Sequence, residues 1–127
     1  MTHRSRLAGF IIDCQTGDID AAASFWGSAL GLTTGDKQVE GEAEYVEFVA
    51  GASGLHIEVQ KVQHPSRVHL DIETDDLDAE AARLEALGAK RVGFVKRWWV
   101  MEAPTGQRFC VVRMKHPEHG APPNVWS

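Results

Sequence analysis

Residues 18–31, DIDAAASFWGSALG, and residues 75–89, DDLDAEAARLEALGA, are two copies of one phrase. Each opens on an aspartate, Asp18 or Asp75, and each runs into Ala-Leu-Gly. The pattern predicts two helices. An aspartate at the N-cap accepts an orphan backbone N–H of the first turn. Glycine after the last turn, Gly31 or Gly88, supplies the left-handed residue that ends a helix. In the second copy Leu77, Ala81 and Leu84 recur at i, i+4 and i+7, one apolar stripe. The first copy is more mixed, with Ile19, Ala22, Phe25, Trp26 and Leu30 as its candidates for burial.

Working outward, each helix follows a β-like run, LAGFIIDC before the first and RVHLDIET before the second. After the first come EYVEFVA and GLHIEVQKV; after the second come KRVGFV, KRWWVME and GQRFCVVRM. AGASG and APTG between them read as hairpin turns. Both halves have the order strand–helix–strand–strand–strand, although the first half's second strand, around Gly31 to Gln38, is weakly signalled. Two copies are too few for a helical array. The expectation is α+β: two tandem βαβββ modules, about 5–63 and about 64–114, within a single domain spanning 1–127. Their strands are expected to form a curved eight-stranded mixed sheet, a cup with the helices outside. Residues 115–127, KHPEHGAPPNVWS, read as a tail that Trp126 could anchor on the body or on a partner.

Side chains alternate across a strand. Leu55, Ile57 and Val59 should pack under the helix, leaving His56, Glu58 and Gln60 on the cup side. Leu70 and Ile72 should do the same, leaving His69, Asp71 and Glu73. A polar cup wall follows. His69, with a reference pKa of about 6.5, suits proton transfer near neutrality. A partly desolvated acid among Glu58, Asp71 and Glu73 would suit a general base. Of the adjacent Trp98 and Trp99, alternation favours Trp99 in the cup beside Tyr45 and Glu47, as a flat surface for a planar ligand; a one-residue slip would exchange them. Arg108 should face the cup beside Cys110, pairing with an acid or with a ligand carboxylate.

The 127 residues carry a net charge of −5, with 43% hydrophobic and 24% charged side chains. No basic face accumulates for nucleic acid, and the apolar runs are too short to span a membrane. Two cysteines, Cys14 and Cys110, are too few for a disulfide framework. The opening MTHRSRLAGFIID does not resemble a signal peptide, so a cytoplasmic location is expected. No phosphate loop, nucleophile elbow or CxxC pair is present, which removes several large enzyme classes.

Taken in order, IIDC with FW and ALG, RVHLDIE, DAEAARLEALGA and WWVMEAPTGQRFCVV resemble the glyoxalase-like proteins. These belong to the glyoxalase/bleomycin-resistance/dioxygenase, or vicinal-oxygen-chelate, superfamily. The resemblance runs from about Leu7 to Val112. It implies the cup fold and a homodimer. Metal-dependent members of that superfamily take two ligands from each half, one on the first strand and one on the last. Aligning the halves sets His69 opposite Gly9 and Glu58 opposite Cys110. Glycine has no ligating side chain, so His69, Glu58 and Cys110 are the expected metal set, and zinc accepts all three donor types.

Three functions stay open on this reading. One is a metal-independent binder that sequesters a small molecule of the antibiotic kind, using Tyr45, His56, Asp71, Trp99 and Arg108. Another is a lyase or isomerase in which His69 and Glu58 are catalytic, with or without zinc. The last is an accessory domain that contacts another protein.

Overall fold

The computed structural model describes residues 2–49, 51 and 53–127. The turn expected at AGASG includes Ala50 and Ala52, which lie outside the described residues. The fold is α+β, with two helices and a mixed sheet made from the two βαβββ modules plus a short ninth strand. The chain divides into two compact units, residues 10–68 and residues 1–9 with 69–127. Strand β1 (His3–Cys14) contributes to both.

In the unit of residues 10–68, α1 (Ile19–Leu30) is followed by β2 (Thr34–Glu40), β3 (Ala43–Phe48) and β4 (His56–Lys61). The strand order is β2-β3-β4-β1, and β2–β3 and β3–β4 are antiparallel. Asp18 caps α1 by accepting the Ala21 N–H at 3.1 Å, and Gly31 ends it at φ 68°. Ile12, Cys14, Ile19, Ala23, Val46, Phe48 and Val59 form the core, with Phe10, Trp26 and Ile57 packed on it. Burial of Val59, which is fully inaccessible, contributes about 2 kcal/mol. Of the residues expected to be buried on α1, Phe25 and Leu30 are instead exposed. Ala23 and Gly27 take the inward face. A Cβ on Gly27 would lie 3.1 Å from the Leu32 carbonyl oxygen and 3.3 Å from the Phe48 ring. That close approach leaves no room for a large side chain there; Phe25 stays outward, edge-on to Trp26, which packs on the rim of the core.

In the other unit, β5 (Arg67–Thr74) leads into α2 (Leu77–Ala86), β6 (Lys90–Val95), β7 (Trp98–Glu102) and β8 (Arg108–Arg113). The order is β1-β5-β8-β7-β6, with β5 and β8 parallel and β6–β7 and β7–β8 antiparallel. The α2 cap is Asp76, one residue after the expected Asp75: Asp76 accepts the Ala79 N–H. Asp75 is occupied by the backbone N–H and guanidinium of Arg4. Ala81, Leu84, Met101, Phe109 and Val111 form the core, with Ile72, Leu77 and Trp99 against it. Leu70, expected under the helix, is half exposed.

The tail is an ordered part of this unit. Strand β9 (Asn124–Trp126) pairs antiparallel with β1, Ser5 opposite Asn124. The Trp126 indole N–H donates to Ser5 Oγ at 2.8 Å, and the Arg83 guanidinium lies 4.0 Å over its ring.

Candidate functional site

Each unit presents one polar sheet face opposite its helix, and each face gathers three metal-ligating side chains. In the unit containing α2, Ile72 points into the core, so strand alternation sends His69, Asp71 and Glu73 to the other face. Parallel pairing sets Asp71 level with Cys110 on β8. His69 Nε2 lies 3.6 Å from Asp71 Oδ1, and both side chains are only 13% exposed. One ligand atom from each of His69, Asp71 and Cys110 falls within 4.8 Å of the others. Next along β5, Glu73 accepts the Arg6 Nε–H at 2.6 Å.

Trp99 differs from expectation. It packs against the α2 core, donates its indole N–H to Asp78 on α2 at 3.2 Å, and carries the Arg91 guanidinium 4.7 Å from its ring. β7 is thus shifted by one in phase, and Trp98 takes the polar face with Val100 and Glu102. The cause lies in the register: Trp99 pairs with Val111 and Met101 with Phe109, both core residues. Arg108 is on the polar face opposite Glu102, 3.4 Å from its carboxylate, so its cross-strand acid occupies it.

In the unit containing α1, Val46, Phe48 and Val59 point into the core. Tyr45, Glu47, Glu58 and Gln60 therefore share the opposite face, Tyr45 level with Gln60 and Glu47 level with Glu58. Two carboxylates directly opposed repel. His56 relieves this, its Nε2 2.7 Å from Glu58 Oε1, and Glu47, His56 and Glu58 form a second trio within 4.8 Å. Burial, then the charges of Glu40, Glu58 and Glu47, push the Tyr45 hydroxyl above its ordinary pKa. Its O–H donates to Glu40 at 3.4 Å. At the far edge, buried Asp13 accepts from Gln60 Nε2 and lies 3.8 Å from Arg67.

Of the expected metal set, His69 and Cys110 come together, and the carboxylate beside them is Asp71; Glu58 belongs to the other trio. The donor chemistry of His69, Asp71 and Cys110 fits zinc, which binds imidazole, carboxylate and thiolate. Donors about 2.1 Å from a tetrahedral ion stand roughly 3.4 Å apart, close to the observed His69–Asp71 separation. Asp13 and the Arg6–Glu73 pair escaped the sequence reading. Glu73 was among the cup-side acids, but its partner Arg6 lies 67 positions away.

A family model described as a glyoxalase-like domain matches residues 9–112. Among solved structures, the chain is similar to a hypothetical protein from Bacillus halodurans C-125. That match has TM-score 0.65 and 12% identity, covering 87% of this chain and 95% of the other. It is also similar to methylmalonyl-CoA epimerase from Mycobacterium tuberculosis, at TM-score 0.64 and 16% identity, covering 86% and 87%. A third is a Streptomyces coelicolor methylmalonyl-CoA epimerase variant in complex with 2-nitronate-propionyl-CoA, at TM-score 0.60 and 16% identity, covering 86% and 98%. At identities this low the likeness shows a shared fold alone. A sequence search of curated proteins returns no match. Among the described residues, no helix is long and apolar enough to cross a membrane.

Proposed function

The chain belongs to the glyoxalase-like domain family, of the vicinal-oxygen-chelate superfamily, and on that premise we propose that it binds a small acyl compound beside a metal-binding centre formed by His69, Asp71 and Cys110. The observation that carries this reading is the convergence of an imidazole, a carboxylate and a thiol on one half-buried sheet face. Zinc held there would supply a Lewis-acid contact to a carbonyl or carboxylate oxygen of the ligand. The residues themselves fix the donors in place: β5 and β8 set Asp71 and Cys110 level.

Chemistry of the isomerase or lyase type follows from such a centre, since a polarised carbonyl acidifies the neighbouring C–H. The similar solved structures that carry CoA esters support an acyl ligand. Glu58, hydrogen-bonded to His56, is proposed as an acid–base group within its own trio with Glu47. The test is proton exchange into simple acyl thioesters followed by NMR, with metal analysis of untagged protein. The reading expects exchange that falls at least tenfold in His69→Ala while folding is kept. A chain that binds neither metal nor thioester contradicts it.

One observation favours a second reading, a metal-independent binder that sequesters a planar compound. Trp98 shares the polar face with Cys110 and offers an aromatic surface there. Quenching of tryptophan fluorescence by a ligand, lost in Trp98→Ala and unaffected by a chelator, would select it. For assembly we propose a homodimer; light scattering at micromolar concentration that returns a monomer mass would contradict this.

A further inference from the structure

We propose that the C-terminal turn carries a separate transition-metal site, formed by His116, Glu118 and His119. It lies beyond the family-matched span and does not depend on the centre at His69. His116 Nδ1 and His119 Nε2 approach the same oxygen, Glu118 Oε1, at 3.6 and 3.7 Å. The two rings stack with centroids 5.0 Å apart and planes 17° from parallel. One ligand atom from each residue lies within 4.8 Å of the others. Donors around a tetrahedral zinc stand roughly 3.4 Å apart, so small side-chain rotations complete the set. All three side chains are about two-thirds exposed.

The backbone beneath them is held. The His119 N–H donates to the His116 carbonyl at 3.0 Å. Arg6 reaches from β1 and donates to the carbonyls of His116 at 2.9 Å, Ala121 at 2.6 Å and Pro117 at 3.4 Å. Its guanidinium is in turn fixed by Glu73. A cation arriving here orders three side chains and no loop, which lowers the entropic cost of capture.

Two nitrogens and one carboxylate oxygen suit zinc, nickel or copper; magnesium and calcium favour all-oxygen sets. Three protein donors leave the remaining positions to water or to a donor from another molecule. The turn that would hold the ion is already joined through Arg6 to Glu73, the next residue along β5 on the face that carries Asp71.

Equilibrium dialysis of untagged full-length chain against zinc tests the proposal. His116→Ala/His119→Ala should lose one equivalent of zinc per chain with an unchanged circular dichroism spectrum. His69→Ala/Cys110→Ser should retain that equivalent. Magnesium should not compete in either. An unchanged zinc stoichiometry in His116→Ala/His119→Ala overturns the site. So does the loss of all bound zinc in a folded His69→Ala/Cys110→Ser chain. Because the tail residues are exposed, the first variant keeps the test decisive even where the second folds poorly.

Discussion

His3 and Glu80 meet 2.8 Å apart, His3 Nε2 on Glu80 Oε1, with the carboxylate wholly buried. Arg83 adds two bonds from the next turn of α2 at 2.8 Å each. Burial pushes the Glu80 pKa up, but hydrogen bonds from Arg83, His3 and Ser5 outweigh it, and the net value is lowered. A carboxylate lowered in the folded state stabilises above its unfolded pKa, about 4.3, and that contribution is lost as pH falls through the folded value. Asp75, lowered chiefly by the Arg4 backbone N–H, acts with the same sign. Thermal denaturation should therefore give a flat Tm from pH 7 to about 5 and a falling Tm below about pH 4. In Glu80→Ala the acid-dependent part should shrink, and stability at pH 7 should drop by roughly 3 kcal/mol, because breaking a buried pair strands its partners.

The same network anchors the tail. Trp126→Ala removes the bond to Ser5 and the ring under Arg83, and should cost roughly 2 kcal/mol in urea denaturation. Trp126→Phe keeps the ring and should recover about half of that. A loss no larger in Trp126→Ala than in Trp126→Phe would mean the ring contributes nothing.

How much of this was legible in the sequence differs by element. The duplicated helix phrase and its terminal glycines located α1 and α2 because capping chemistry is local. Alternation placed Glu58 and His69 on polar faces because Ile57, Val59 and Ile72 left one choice. Trp98 and Trp99 defeated the same rule: two adjacent identical side chains carry no phase. A register shift between Arg91 and Gly93 on the neighbouring strand adds to the ambiguity. Trp126 was legible as the tail's anchor, but the strand β9 and its partners were not. The tail's partners, Ser5 and Arg6, are more than a hundred positions away, and nothing in KHPEHGAPPNVWS has a period.

The two thiols should separate chemically. Burial and then the charge of Asp13 raise the Cys14 pKa, and Cys14 sits in the core, so it should stay protonated and inert. Cys110 is half-buried on the polar face. Ellman's reagent should titrate one thiol in the native protein and two after denaturation. Two equally fast thiols in native protein would contradict the packing of Cys14.

Gly27→Ala sets two effects against each other. The helix gains about 1 kcal/mol in propensity, while a Cβ at 3.1 Å from a backbone carbonyl forces a shift that costs roughly 1–3 kcal/mol. The clash should win, with net destabilisation of about 1 kcal/mol by urea denaturation. A more stable variant would show that α1 can slide on β2 and β3.

The most direct test of the centre at His69, Asp71 and Cys110 is the absorption spectrum of cobalt-loaded protein. Only a site with a sulfur ligand gives a thiolate-to-cobalt charge-transfer band in the near ultraviolet, so the His116 turn contributes none. The account predicts that band in the parent chain, its disappearance in Cys110→Ser, and its persistence in His116→Ala/His119→Ala. A cobalt-loaded parent without the band, or a band untouched by Cys110→Ser, would contradict it.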